Sequence, residues 1–263
     1  AARGIMAAYL VPKSAKRTLR IGDKTVRIAG IAKGSGMIAP NMATMLCFVT
    51  TDAAIEADAL RSALRAAATA SFNRISVDQH TSPSDSVVAM ASGRAGNGAI
   101  RDGSEAHEKF TAALADVCRD LAYKIVADGE GATRVMVVNV VNARSEKQAD
   151  QVARAIINSP LVKTAVHGGD PNWGRITTAA GYSGAAIRPA KMSLSIGEKK
   201  PITVYERGTP VEHSDRTLKR LGRLMSGDEV HIRLDLGLGS AAVQWLGCDL
   251  SRQYIAINAD YTT

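Results

Sequence analysis

Aromatic residues, cysteines and long apolar runs are all scarce in this chain of 263 residues. Only 4% of the residues are aromatic while 46% are hydrophobic, so the core must consist mainly of Ala, Val, Ile and Leu. The three cysteines, Cys47, Cys118 and Cys248, lack CxxC spacing, which argues against a disulfide framework and a structural zinc site. No apolar run approaches the roughly 18 residues of a membrane helix. We therefore expect a cytoplasmic protein of one large or two medium domains.

Acidic residues are scarce in the first part of the chain. Residues 1–43 contain eight Lys and Arg against one acidic residue, Asp23, whereas the other 220 residues are almost balanced. A net charge of +8 invites a nucleic-acid-binding interpretation. However, Tyr9 is the only aromatic residue in the basic part, so it offers no platform for stacking bases. We expect instead a local positive field that attracts small carboxylate substrates.

Hydrophobic periodicity predicts strands in consecutive pairs and several amphipathic helices, which favours a layered α+β architecture over a repeating βαβ barrel. The predicted strands are 18–31 (a hairpin), 45–51, 75–77, 86–91, 135–141, 192–196, 202–205, 229–236, 241–250 and 254–258. The predicted helices are 58–72, with Asp52 or Asp58 as N-cap, and 105–127, 145–158 and 214–225. Residues 160–181 read as irregular and Gly-rich. A domain boundary is expected near residues 175–190, giving domains 1–180 and 181–263.

Motifs for metal and phosphate binding are weak. The five histidines include no HExxH pair, and His80 and His167, which have acidic residues nearby, read more simply as loop histidines bonded to the backbone. We therefore predict no metal. The segment KGSG (33–36) lacks the GxxxxGK[ST] layout of a phosphate-binding loop. It is better interpreted as a loop that delivers Lys33 to an anionic group.

Thr44 stands between the Gly-rich loop and the predicted strand 45–51. Its simplest interpretation is a β-branched residue that begins a strand. A second interpretation is chemical: its hydroxyl could attack the carbonyl of the small residue Ala43, and water could then cleave the resulting ester. The new chain would begin at Thr44 with an α-amine of pKa about 7.7–8.0. Such an amine can act as the base for the neighbouring hydroxyl, without any histidine.

The segment KGSGMIAPNMATMLCFVTTDA resembles the signature of the ornithine acetyltransferase family, the glutamate N-acetyltransferases of arginine biosynthesis. Further matching segments follow in family order: DGEGATR, NSPLVKTAVHGGDPNWGR, GCDLS and the ending NADYTT. The resemblance covers nearly the whole chain. It implies a layered helix-sheet-sheet-helix α/β fold similar to the N-terminal-nucleophile-like aminopeptidases. A C-terminal α+β domain (181–263) would be added, and its tail would return to the active site.

The resemblance also implies the chemistry. The chain would cleave itself between Ala43 and Thr44, and Thr44 would then carry acetyl from N-acetylornithine to glutamate by a ping-pong mechanism. Lys33 would bind the substrate carboxylate and Glu130 the amine end of ornithine, while Asn258 and Thr263 would close the pocket. No cofactor is implied, although acetyl-CoA is a possible second donor. The implied partners are the protein's own cleaved N-terminal fragment and further copies of the cleaved unit, as a homo-oligomer.

Two departures from the family pattern keep alternatives open. Leu10 stands where the family has a substrate-contacting Thr, and the loss of one such contact costs roughly 0.5–1.5 kcal/mol. The oxyanion hole of the family comes from a Thr-Gly pair upstream of Ala1, and we expect further residues there because the chain does not begin with Met. One alternative is an N-terminal-Thr amidase or aminopeptidase acting on small acylated amines. The other is a non-catalytic paralogue that binds an amino acid.

Overall fold

The structure is a computed structural model that describes residues 11–36, 38, 45–80 and 85–260. Its contacts divide the chain into two compact units, Ala1–Gly129 and Glu130–Thr263. This division differs from the boundary near 180 drawn from the sequence, because the strand that follows Glu130 pairs with strands close to the C-terminus. The domain boundary itself stays a prediction.

The first unit contains a four-stranded sheet in the order β1-β2-β3-β5. Its strands form because polar and apolar residues alternate, so that one face of the sheet is buried. A hairpin joins the first two strands at Gly22, whose φ of +59° suits glycine. β3 is antiparallel to β2, and β5 is parallel to β3. The strands of this unit are β1 (Lys13–Ile21), β2 (Lys24–Lys33), β3 (Leu46–Thr51), β4 (Ile75–Ser76) and β5 (Ser86–Ala91).

Helices α1 (Ala57–Thr69) and α2 (Glu105–Ala127) pack against each other, and α2 covers β1 and β2. The approach of α2 to the sheet is close at Gly30, where a Cβ atom would lie 2.9 Å from Leu121 Cδ1. A short 3₁₀ helix, Phe72–Arg74, follows α1. Helix α2 begins at Ser104, whose side chain accepts a hydrogen bond from the amide of His107, as expected for an N-cap.

The second unit contains strands in the order β11-β6-β10-β7-β8-β9. β6 is parallel to β10, whereas the other pairs are antiparallel. Residues of β6 are apolar almost throughout, because the strand lies inside the sheet and both its faces are covered. The strands are β6 (Val135–Ala143), β7 (Ser193–Ile196), β8 (Ile202–Glu206), β9 (Thr209–Pro210), β10 (Glu229–Asp235) and β11 (Ala241–Cys248).

Helices α3 and α5 contribute buried small and branched residues to the core of the second unit, where Ile156, Ala179 and Trp245 belong to one cluster. Helix α4 packs beside both. The helices of this unit are α3 (Glu146–Asn158), α4 (Pro160–His167), α5 (Trp173–Gly181), α6 (Asp215–Met225) and α7 (Arg252–Asp260), with a 3₁₀ helix at Pro189–Lys191. No helix among the described residues is long and apolar enough to cross a membrane.

Most predicted elements are present within a few residues, but three predictions were wrong. Residues 160–181 are not irregular: Ser159 and Asn172 each cap a helix, and their side chains accept hydrogen bonds from Val162 and Arg175 amides. Residues 254–258 are not a strand, because they lie inside α7, whose side chains are not buried and so show no helical stripe. The N-cap of α1 is Glu56, and neither Asp52 nor Asp58 caps it.

Candidate active site

The residue after Thr44, Met45, is held directly before β3. Met45 donates its backbone N–H to Asp85 Oδ1 at 2.5 Å, and its carbonyl accepts the N–H of Ser86 at 3.0 Å. Both contacts follow from the parallel pairing of β3 with β5, which places Leu46 opposite Ser86. Both polar groups of the Met45 backbone are thus held. The predicted cleavage site itself, Ala43 and Thr44, lies outside the described residues.

Asp85 is a buried carboxyl group, only 7% exposed. Burial raises its pKa to about 6, although the hydrogen bond from the Met45 amide opposes the shift. Its second oxygen, Oδ2, is buried and has no hydrogen-bond partner in the described part of the chain. In the sequence, Asp85 is only one of the acidic residues near His80, because its position beside Met45 depends on a strand pairing across 40 residues.

Lys33 is the last residue of β2 and lies opposite Leu46 in the register of β2 and β3. It is half-buried, and in the described residues its ammonium group has no hydrogen-bond or ion-pair partner. The loop beyond it is anchored, since Ser35 Oγ donates to the carbonyl of Asp128 at 2.7 Å. No helix begins within residues 33–36. The loop therefore lacks the helix N-terminus on which a phosphate-binding loop depends.

Glu130 and Asn258, predicted to bind substrate, are brought together in the second unit. Asn258 Nδ2 donates to Glu130 Oε2 at 3.2 Å, and also to the carbonyl of Tyr254 at 3.0 Å. Glu130 is half-buried and Asn258 is exposed, at opposite ends of the unit's sequence. The third predicted residue from this half of the chain, Thr263, lies outside the described residues.

The loop that carries Glu130 is held against the start of α7. Gly131 has a φ of +66°, and a Cβ atom there would lie 2.3 Å from the backbone nitrogen of Tyr254, so only glycine fits. Ser251 Oγ donates to the Gly131 carbonyl at 2.6 Å. The same oxygen accepts the amides of Gln253 and Tyr254 at 3.1 and 3.3 Å, which caps α7. One serine thus connects the loop to the helix of Asn258.

Asp249 anchors the far side of this loop. Its carboxylate accepts the amides of Thr133 and Arg134 at 2.7 and 2.9 Å and the Thr133 hydroxyl at 2.6 Å. His167 Nδ1 lies 2.7 Å from its second oxygen. Burial alone would raise the pKa of Asp249, but these hydrogen bonds outweigh it and hold the pKa below its ordinary value. Sequence reasoning quoted the motifs GCDLS and DGEGATR without recognising that Asp249 joins them.

Other candidate chemistry finds little support in the described residues. They contain no group of three or more His, Cys, Asp or Glu that could hold a metal ion. His80 is exposed and its Nδ1 lies 3.9 Å from Asp78, whereas the ring of His167 faces Asp249. All three cysteines are buried. Burial raises the pKa of the Cys118 thiol to about 12 and also raises that of Cys47, so neither is a thiolate nucleophile at neutral pH.

Known proteins resemble the chain over its whole length. A model of the ArgJ family matches residues 1–263. Glutamate N-acetyltransferase of Methanocaldococcus jannaschii is 45% identical, with 100% of this chain and 65% of the relative covered. The arginine biosynthesis bifunctional protein ArgJ of Bacillus thuringiensis is also 45% identical, with 98% and 62% covered. The chain thus spans less than two thirds of the length of these curated relatives.

A solved structure supports the same assignment. The crystal structure of the arginine biosynthesis bifunctional protein ArgJ from Bacillus halodurans is 40% identical and superposes with a TM-score of 0.76. The likeness covers 81% of this chain and 98% of the solved chain. It confirms the expected mixed α/β fold class. Together with the family match over every residue, it establishes that the chain belongs to the ArgJ family.

Proposed function

We propose that the protein is a glutamate N-acetyltransferase, which moves acetyl from N-acetylornithine to glutamate through an acetyl-Thr44 intermediate. The names of the relatives, glutamate N-acetyltransferase and bifunctional arginine biosynthesis protein, support this activity. The observation that carries it is the hydrogen bond between Glu130 and Asn258, 128 residues apart. The resemblance assigns these two residues to one substrate pocket, and the fold places them side by side.

In the proposed maturation, the Thr44 hydroxyl attacks the carbonyl carbon of Ala43. The new C–O bond forms as the C–N bond breaks, and the hydroxyl proton passes to the released amine. Water then hydrolyses the ester, which leaves a carboxylate on Ala43 and a free α-amine on Thr44. This amine has a pKa of about 7.7–8.0, low enough for it to act as a base near neutral pH.

In the proposed acetyl transfer, the Thr44 hydroxyl attacks the acetyl carbonyl of N-acetylornithine while the α-amine takes its proton. Ornithine leaves with that proton on its amine, and the glutamate amine then attacks the acetyl ester. Lys33 binds the α-carboxylate, and Glu130 binds the amine end of ornithine. Two opposite fixed charges suit an amino-acid substrate, because charge-assisted hydrogen bonds are the stronger ones. Asn258 and Thr263 close the pocket. Acetyl-CoA is a candidate second donor.

The pairing of β2 with β3 supports cleavage without loss of structure. In the sequence, the proposed scissile bond lies between these strands, whose paired residues run from Ile28 and Thr51 to Lys33 and Leu46. Two fragments that meet at residue 44 would therefore share one sheet and stay associated.

Denaturing mass spectrometry of the purified full-length protein tests the proposal. We expect two fragments that meet at Ala43 and Thr44, and ornithine release from N-acetylornithine that requires glutamate. Thr44→Ala should abolish both, whereas Thr50→Ala, a matched Thr-to-Ala change within β3, should abolish neither. An intact wild-type chain after long incubation would contradict the proposal. Equal ornithine release without glutamate would indicate a hydrolase, and unchanged acetyl exchange in Thr44→Ala a binding protein.

A further inference from the structure

The buried carboxyl group of Asp85 has no part in the chemistry described so far. It lies directly before β5, as Met45 lies directly before the parallel strand β3. Asp85 Oδ1 accepts the Met45 amide, and Oδ2 is buried without a partner among the described residues. Ser86, the next residue, donates its amide to the Met45 carbonyl. Asp85 and Ser86 therefore hold both backbone polar groups of Met45, an arrangement that we call the clamp.

The burial of Asp85 lowers the stability of the fold. A buried carboxyl oxygen without a hydrogen bond loses its hydration and gains nothing in return. Burial and the Met45 amide account for the pKa of Asp85, and no charged side chain in the described part of the chain contributes to it. Groups held in this state are concentrated at functional sites, where their position serves the chemistry.

We propose that Asp85 is a positioning residue for Thr44, because its carboxylate holds the peptide group through which Thr44 is joined to Met45. The inference rests on the proposed function, in which Thr44 is the nucleophile. The Met45 nitrogen that Asp85 holds is bonded to the carbonyl carbon of Thr44. Fixing this nitrogen fixes one end of the reacting residue while the other end is cut. A misplacement of about 1 Å at a reacting group can cost about 10²-fold in rate.

Ionised Asp85 is the stronger hydrogen-bond acceptor, so the clamp should loosen when the carboxyl is protonated. With a pKa of about 6, the self-cleavage rate should fall as the pH drops through this value. The uncleaved chain has no free α-amine at Thr44. The titration of Asp85 is therefore separated from that of the catalytic base, which exists only after cleavage.

The test follows self-cleavage of radiolabelled full-length chains made by cell-free translation and diluted into buffers of pH 5 to 8. Asp85→Ala should slow cleavage about 10²-fold. Asp85→Asn keeps an acceptor oxygen, so its self-cleavage rate should stay within about tenfold of wild type. It should lose the acid limb of the pH profile, that is, the fall in rate as the pH drops through about 6. Asp52→Ala is the matched control, since Asp52 Oδ1 accepts the Arg27 amide at 2.7 Å at the other end of β3. Asp52→Ala should keep both the wild-type self-cleavage rate and the acid limb of its pH profile.

The outcomes separate this inference from the proposed function. A wild-type chain that never cleaves overturns both. Wild-type cleavage together with an unchanged rate in Asp85→Ala overturns the role of Asp85 alone. If Asp85→Ala fails to fold, as circular dichroism would show, Asp85→Asn decides, because an acid limb retained near pH 6 contradicts the proposal. In cleaved Asp85→Asn, we expect a lower kcat for acetyl transfer with the KM for N-acetylornithine unchanged.

Discussion

Two buried aspartates, Asp85 in the first unit and Asp249 in the second, differ in how many hydrogen bonds their carboxyl oxygens accept. Asp249 is 2% exposed and accepts hydrogen bonds on both oxygens, from Thr133, Arg134 and His167. Asp85 is 7% exposed and accepts one, from Met45, while its second oxygen is unpaired within the described residues. The pKa of Asp249 is accordingly lowered and that of Asp85 raised.

The difference separates a structural anchor, Asp249, from Asp85, whose buried carboxyl group is only partly hydrogen-bonded. Hydrogen bonds on every side compensate the desolvation of Asp249, so its charge stabilises the loop that carries Glu130. Asp85 lacks that compensation, so its charge is costly when it is present. Both residues hold backbone amides, but only Asp85 does so beside the residue that we propose as nucleophile. Similar burial and the same residue type can therefore serve stability in one unit and chemistry in the other.

Removing the anchor should have the largest effect. In Asp249→Ala, two amides and one hydroxyl lose a charged acceptor in a buried position. We expect the free energy of unfolding to fall by about 3–5 kcal/mol. Urea denaturation measures this, in a Thr44→Ala background that keeps the chain in one piece. The Km for N-acetylornithine in the otherwise wild-type enzyme should rise, because the loop of Glu130 loosens.

Asp235→Ala is the control for this change. Asp235 also accepts two hydrogen bonds, from Asn142 Nδ2 and the Gly237 amide, but it lies in a half-buried position where water can replace it. Its loss should cost about 1 kcal/mol. Equal costs for the two changes would mean that the saturation of Asp249 is not what stabilises the loop.

The pH dependence of stability should distinguish the two aspartates next. The folded-state pKa of Asp85, about 6, lies above its ordinary value, so between about pH 4 and 6 the folded state holds a proton that the unfolded state has released. Stability from Asp85 should therefore fall as the pH rises through this window, by about 2–3 kcal/mol in total. Asp249, with a lowered pKa, should keep its contribution there and lose it only in stronger acid.

The measurement compares wild type with Asp85→Asn by urea denaturation at pH 4, 5, 6 and 7, again in the Thr44→Ala background. Relative to Asp85→Asn, the wild-type chain should lose stability as the pH rises. A difference between the two that stays flat across this range would show that the Asp85 carboxyl titrates normally, and the contrast with Asp249 would disappear.

The sequence allowed much of each unit to be predicted where the signal is local. The apolar stripe of α2 gave its bounds, Glu105–Ala127, and the alternation around Gly22 gave the first hairpin. Helix α7 was missed because none of its residues is buried. Its sequence therefore shows no apolar stripe with helical spacing. Helices α4 and α5 were missed because their glycines and prolines resemble a loop, although Ser159 and Asn172 are recognisable caps.

The two aspartates could not be found in this way. Asp85 reaches Met45 through the pairing of β3 with β5, and Asp249 reaches Thr133 across 116 residues. Such contacts depend on strand order, which hydrophobic periodicity does not specify. Glu130 and Asn258, in contrast, are assigned to one pocket by the family resemblance, and the structure joins them by a hydrogen bond. Their role in substrate binding stays a prediction.

The smallest effect that still tests the comparison comes from two glycines, one in each unit. Gly131 and Gly22 have similar φ values, +66° and +59°, so alanine would be strained at both, by about 1–3 kcal/mol. At Gly22 nothing lies within 4 Å of an added Cβ, whereas at Gly131 it would meet the backbone of Tyr254. Gly131→Ala should therefore destabilise the chain by about 1–2 kcal/mol more than Gly22→Ala.

Their effects on substrate binding should differ more than their effects on stability. An alanine at Gly131 must push the loop of Glu130 away from α7, which carries Asn258, so the hydrogen bond between the two should break. Gly22→Ala leaves that loop untouched. We expect Gly131→Ala alone to raise the KM for N-acetylornithine, measured by ornithine release, by about tenfold for the loss of one charge-assisted contact. Equal KM values in the two variants would show that the loop and the helix need not be joined for binding.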